Sequence, residues 1–305
     1  MKKSTIMLAL GGVMSAAVVG AHIYANQQAE LVIEQQITQF SEQSDMLIEY
    51  QGSSYNLFTN TVEVQSLVVK DALEQQTLLN IGEFSLQGYE ADKVSDFTEV
   101  KLINVTLSPA IAAELEQQSK ALAGAHYSLT SSMRYDEQTG NSQFKSAVEA
   151  AGVVGVEFNF DLGNSAELMS TSLEMQQQGA EITLEQELQM QSKLLSALQS
   201  LEPQKLTFAI DGQPKLDLLV TELLTSKGLT KEQFQQMLTM QLAQVPVSDA
   251  VKQGITGFVS GLNALKVDVS VDEAMNFNAF SQQVQMLAAD PEGLEKFLNL
   301  KVSGS

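Results

Sequence analysis

Residues 6–24, IMLALGGVMSAAVVGAHIY, form a nineteen-residue apolar run without Asp, Glu, Lys or Arg, and Lys2 and Lys3 precede it. As a helix rising ~1.5 Å per residue, such a run reaches roughly 28 Å, close to the ~30 Å hydrocarbon core of a bilayer. The two lysines place the N-terminus in the cytoplasm, so the rest of the chain is expected across the membrane. A cleaved signal peptide is the competing reading, with Val19-Gly20-Ala21 as the cleavage site and Ala21 as its last residue. The run continues through Ile23 and Tyr24, where a signal peptide is already polar, and this favours an uncleaved anchor. The chain has no cysteine, which closes the lipoprotein route. Gly12, Ala16 and Gly20 fall at i, i+4 and i+8, a spacing that can form a weak dimer face between membrane helices. His22 reads as a boundary residue at the outer end of the span.

Everything after this run is polar, acidic and patterned like a folded domain. Beyond Lys2 and Lys3 the balance is 15 basic against 37 acidic residues. That surface repels nucleic acid and anionic headgroups, because phosphate binding needs clustered Lys and Arg. Arg134 is the one arginine, so bidentate phosphate clamps are all but excluded. Without cysteine the fold needs no disulfide, and thiol chemistry and Cys-ligated metals are absent. The lack of tryptophan argues against a carbohydrate-stacking site.

The organisation expected is α+β in four parts: an N-terminal transmembrane helix over 1–25, a helical stalk over 26–46, an antiparallel strand-rich half over 47–162, and a half alternating helices with single strands over 163–305. In the stalk Leu31, Ile33, Ile37, Phe40 and Met46 recur at near-helical spacing. From Leu47 the period switches to two, through LIEY, NTVEVQSLVV, LLNIGEFSLQGY and FTEVKLINVTL. Gly52-Ser53-Ser54, Asp71-Ala72 and Asp92-Lys93 supply the expected breaks. Ser108 and Pro109 open a helix, with Gly124 past its end, so 47–124 reads as four strands and a helix. Strands resume at His126, turn at Asp136 to Asn141, and continue through Val154, Val156, Phe158, Phe160 and Leu162.

In the C-terminal half, Leu184, Leu188, Leu195, Leu198 and Leu201 mark a long amphipathic helix. Leu206, Phe208 and Ile210 form a strand. Pro214 opens a helix ending at Gly228, Thr230 and Gln233 make a capping box for the next, and Ser248 or Asp249 caps a third. Val267, Val269 and their neighbours form a strand, Asn276 to Ala289 a helix, Asp290-Pro291 the start of the last helix, and Leu298 to Val302 a closing strand. Two arrangements remain open: one sheet shared by two subdomains, with the last strands rejoining the first ones, or two separate domains.

No residue set rises to a catalytic, cofactor-binding or metal site. His126 has no histidine partner outside the span, and a lone histidine at a strand start reads as structural. Ser142-Gln143-Phe144-Lys145 has the serine and lysine spacing of penicillin-recognising enzymes, but in a strand, positions three apart point to opposite faces. The companion Ser-Asp-Asn is missing, and Ser226-Lys227-Gly228 matches the third motif only superficially. Gly257-Phe258-Val259-Ser260-Gly261 displaces the serine by one from a nucleophile elbow. Asp136-Glu137 and Asp290 with Glu292 are explained by a turn and a helix N-terminus. Met237, Met240, Met275 and Met286, with the leucine stripes, fit core packing or an apolar groove for an acyl chain or a partner's helix.

MKKSTIMLALGGVMSAAVVGAHIYANQQAE resembles the anchors of the YdgA-like group of bacterial envelope proteins. YQGSSYNLFTNTVEVQSLVV and LLNIGEFSLQGYEADKVSDFTEVKLINVTLSP resemble the N-terminal strands of AsmA-like proteins. The resemblance covers residues 1–162, rests on pattern and carries over no functional residue. It implies a single-pass protein of the bacterial inner membrane with the bulk of the chain in the periplasm, in a group associated with outer-membrane assembly and lipid movement. The helical C-terminal half is too short for a long lipid-conducting groove. The expectation is therefore a non-enzymatic protein that binds lipid or an envelope partner through an apolar groove, without cofactor. The alternative is a periplasmic hydrolase with a carboxylate or serine site that no motif marks.

Overall fold

The computed structural model describes residues 46–73, 75–90, 93–177 and 183–305. The apolar run 6–24, its Gly12–Ala16–Gly20 face and the stalk as far as residue 45 lie outside them. No helix among the described residues is long and apolar enough to cross a membrane. The fold is α+β, and every strand pairing described is antiparallel. The chain divides into two compact units. One holds the residues up to Arg134 with Val148–Ala151, the other Tyr135–Ala147 with Gly152–Ser305. The division falls near the end of a strand at Arg134.

The first unit contains β1 (Met46–Glu49), β2 (Gly52–Asn56), β3 (Thr61–Asp71), β4 (Thr77–Gln87), β5 (Phe97–Leu107) and most of β6 (Tyr127–Asp136). Strands β1 and β2 both pair with β3, whose other edge carries β4, then β5, then β6. Met46 corrects the stalk boundary, since it opens β1 opposite Asp71. Gly52, Ser53 and Ser54 lie inside β2, and the turn comes later, at 57–60. The expected four strands before Ser108 are therefore five.

Alternation on β3, β4 and β5 sends Val62, Val64, Leu67, Val69, Leu79, Ile81, Phe84, Leu86, Val100, Leu102 and Val105 into one dry cluster, with Leu129 from β6. Leu79 retains 1% of its accessible surface. Asn104 adopts a left-handed backbone at φ 57°, and the β5–β6 register shifts beside it. Gly82 faces this bulge, where a Cβ would stand 3.1 Å from that of Asn104. Asn104 Oδ1 lies 2.6 Å from His126 Nδ1, so the histidine braces a bulge.

The single helix expected after Ser108 is two short ones, α1 (Pro109–Glu116) and α2 (Lys120–Ala123). Ser108 caps the first through the Ile111 amide, with Pro109 in its first turn. Ser119 interrupts the run and caps the second through the Leu122 amide, before Gly124 ends it.

The second unit contains most of β7 (Asn141–Ala150), then β8 (Val154–Gly163), α3 (Ala166–Gln177), α4 (Leu184–Ser200), β9 (Glu202–Gly212), α5 (Leu216–Ser226), α6 (Lys231–Gln244), α7 (Asp249–Gly261), β10 (Ala264–Ser270), α8 (Phe277–Leu287), α9 (Pro291–Phe297) and β11 (Lys301–Gly304). Strand β9 pairs with β8 on one side and β10 on the other, and β11 pairs with β10. Strands β10 and β11 pair within the second unit, and all the strands belong to one eleven-stranded sheet, the shared-sheet arrangement of the two left open by sequence. Thr183 and Thr230 each form a full capping box, with Gln186 and Gln233. Ser248, Asn276 and Asp290 cap α7, α8 and α9.

Helix α7 lies directly on β11. A Cβ at Gly254 would meet the Val302 carbonyl oxygen at 2.6 Å, and one at Gly261 would run into the Ser305 carbonyl carbon. Their lack of a side chain lets the helix approach the strand backbone. The chain end is tied in beside it, with Asn263 N donating to Ser305 O at 2.8 Å and Ser305 N to Ala264 O at 2.9 Å.

Candidate functional site: a half-covered apolar sheet face

The alternating apolar residues of β8 to β11 register across the sheet. Phe158 stands opposite Phe208, which stands opposite Val267, which stands opposite Val302. The flanking rows are Val156, Ile210 and Leu265, and Phe160, Leu206 and Val269. Phe144 of β7 joins the same face by stacking on Phe160, with ring centroids 4.8 Å apart, and Phe158 tilts against Phe160 at 5.5 Å. An aromatic row of this kind, flanked by β-branched and leucine side chains, is the composition of a sheet core.

Yet none of these side chains is buried. All are half-buried except Phe158, which keeps 37% of its surface in solvent. Helix α7 covers β10 and β11, and α8 touches β9 and α4. Neither α6 nor α8 buries a single residue. The buried apolar side chains of this unit, among them Val153, Met190, Ala197, Leu216, Leu219 and Val251, lie at loops and helices. The result is a broad apolar surface roofed in part.

Helix α4 presents a different face from the one its leucine spacing predicts. Its inward residues are Met190 and Ala197, with Leu201 buried at its end. Leu188, Leu195 and Leu198, expected as the packing stripe, are exposed. Of the methionines expected to line a groove, Met237, Met240 and Met286 are exposed on α6 and α8, and Met275 is half-buried ahead of α8.

The opposite sheet face is polar. Thr207 donates to Asp268 Oδ1 at 2.8 Å, Lys266 pairs with Asp268 Oδ2 at 2.9 Å, and Gln143 donates to Asp161 at 2.8 Å. Partial burial pushes the Asp268 carboxyl up. The hydrogen bonds from Lys266 and Thr207 and the charges of Lys266 and Lys205 outweigh it, leaving the pKa below its usual value. These contacts account for the shift and require no substrate.

The residues that could have served a hydrolase are dispersed. Ser142 is buried and Lys145 exposed on the same strand, as alternation demands. Gly257 to Gly261 belong to α7, whose glycines pack on β11. The Asp136 side chain accepts from the Thr139 side chain and from the Gln138 amide, which lower its pKa within the turn. Asp290 caps α9 through the Gly293 amide at 3.1 Å. His126 is engaged by Asn104. Among the described residues no group of three or more His, Cys, Asp or Glu could hold a metal ion.

Among the described residues, two buried polar atoms, Ser142 Oγ and Asn159 Oδ1, have no hydrogen-bond partner. Ser142 precedes Phe144 by two positions and so shares its face of β7. Sequence pattern does not single out Phe144, because QFKSAVEA alternates only weakly. The stacking that makes it part of the site is a tertiary contact. No protein-family model and no curated protein sequence matches this chain.

Proposed function

We propose that the chain is a non-enzymatic envelope protein, held in the bacterial inner membrane by residues 6–24 with its bulk in the periplasm, whose second unit binds the acyl part of a lipid on the apolar face of β8–β11. The observation that carries this reading is the half-burial of the Phe158–Phe208–Val267–Val302 row. Each apolar Å² withdrawn from water is worth roughly 25 cal/mol, so a face this apolar gains from a hydrocarbon cover. The anchor reading rests on the apolar run and on the resemblance to YdgA-like and AsmA-like proteins. An apolar segment of an envelope protein is the second occupant that the same face would suit.

The test is native mass spectrometry of the full chain extracted in mild detergent, with lipids identified from the same sample. A lipid retained in fixed ratio, still retained when residues 1–25 are deleted, and lost on Phe158→Asp is the expected result. Retention unchanged by Phe158→Asp, or absence of lipid, would sink the lipid reading. An intact mass lacking the first 21 residues would remove the anchor.

A further inference from the structure

The β2–β3 turn in the first unit displays the most exposed apolar pair of the described residues. Phe58 is 101% exposed and Leu57 79%. The turn that carries them is rigidly built. Asn56 Oδ1 accepts from the amides of Phe58 at 3.0 Å and Thr59 at 3.3 Å. Asn60, left-handed at φ 47°, accepts from the Tyr55 hydroxyl at 2.9 Å and donates to Tyr89 O at 3.0 Å, while its carbonyl accepts from Gly88 N at 2.8 Å. Five hydrogen bonds thus fix a loop whose two outermost side chains touch water.

The surroundings choose the occupant. Residues 50–62, YQGSSYNLFTNTV, contain no charged side chain, although the chain carries 37 acidic groups and a net charge of −20. A protruding pair of side chains offers little of the ~800 Å² per partner that a stable protein interface buries. A bilayer needs no preformed complementary pocket. It accepts a convex apolar point, with neutral polar groups and tyrosines at headgroup level. The turn at the opposite end of β3 makes the contrast. Leu73 there is 86% exposed but is flanked by Asp71 and Glu74 in the sequence.

We infer that the β2–β3 turn inserts Leu57 and Phe58 into a phospholipid bilayer, a membrane contact separate from residues 6–24 and from the lipid-binding face of the second unit.

The chain has no tryptophan, so Phe58→Trp creates a single fluorescent reporter. The full chain carrying it is reconstituted into phosphatidylcholine vesicles, in parallel with ordinary and with brominated acyl chains. The reporter at position 58 is expected to emit at short wavelength in ordinary vesicles and to be quenched severalfold in brominated ones. Adding Leu57→Asp, a change at an exposed position, weakens the insertion and is expected to restore most of the lost emission. A Leu73→Trp reporter in the natural background stays in water and is not quenched. Emission from position 58 that is unaffected by bromine overturns the proposal, and if it is nonetheless shifted to short wavelength the turn packs against a second copy of this chain. Quenching at position 73 to the same extent also overturns it. Because the readout sits at residue 58, its failure is separable from that of the lipid-retention experiment, which reads the second unit.

Discussion

The two units use the same alternation and reach different degrees of burial. In the first, three eleven-residue strands place Val, Leu, Ile and Phe in a cluster where Leu79, Leu86 and Leu102 are all but inaccessible. In the second, Phe158, Phe208 and Val267 hold equivalent alternating positions and remain half-open. Apolar patterning thus specifies which face turns inward, and the layer laid against that face decides whether it dries. Over the strands of the second unit, α7 is anchored at the β10–β11 edge by glycine contacts, and α6 and α8 bury no residue.

The sharpest way to break the comparison is a matched pair of truncations. Leu79→Ala should cost about 2–5 kcal/mol, the range for a leucine removed from a closed core. Leu206→Ala, on the half-open face, should cost about 1 kcal/mol, because water already reaches the site and less is lost. Urea unfolding of the two variants measures both, and equal costs would mean that the second face is as dry as the first.

Next comes the seam that holds the roof. Gly254→Val places side-chain atoms against the Val302 backbone, which has no room to yield. A loss of about 1–3 kcal/mol is expected, with β11 and the chain end released to carboxypeptidase. Unchanged protease resistance of the C-terminus would show that α7 does not need this approach.

The units should also differ in their pH limits. Burial pushes the Tyr89 hydroxyl of the first unit up to about 12. Its folded form stays protonated where the unfolded chain ionises, so its contribution is complete below pH ~10 and is lost as pH rises toward 12. Tyr89→Phe should flatten this alkaline loss, read as urea midpoint against pH. In the second unit Asp268 is depressed, so its contribution is complete above the usual carboxylate range and fades as pH falls through its lowered folded value. Asp268→Asn should flatten the acid limb, and an unaltered profile would mean that the Lys266 and Thr207 contacts carry no net stabilisation.

The smallest effect on stability is expected at the site itself. Phe158→Ala, at a residue one-third exposed, should change the unfolding free energy by under about 1 kcal/mol while lowering lipid retention in native mass spectra. A large destabilisation with retention intact would reassign Phe158 from ligand surface to core.

Several features are legible from local chain alone. The capping residues Ser108, Thr230 and Asp290 announce their helices because an N-cap is satisfied within the first turn that follows it. The strict alternation of β8 and β10 is local in the same sense. The site is legible only as an apolar stock of leucine, methionine and phenylalanine. Which members face water is not, since Leu188 and Leu195 look identical in sequence to packed residues. Ser142 and Lys145 can be separated by strand period alone, and the structure places them on opposite faces as that period requires.

What the sequence determined by itself is therefore the class of fold, the helix starts, the absence of thiol chemistry and the strand faces outside β5, where the Asn104 bulge turns Ile103 outward although alternation puts it with the buried Val105. It also marked 6–24 as the run that fits a bilayer. Tertiary structure decided the rest. The turn at 57–60 displaced the break expected at Gly52 because β3 pairs with two successive strands, β1 and β2. Helix α4 presents Ala197 inward because of what it packs against. Helix α7 covers the β11 edge of the apolar face because Gly254, Gly257 and Gly261 let it lie on Val302, Gly304 and Ser305, far from them along the chain, whereas α6 and α8 bury no residue and leave the rest half-open.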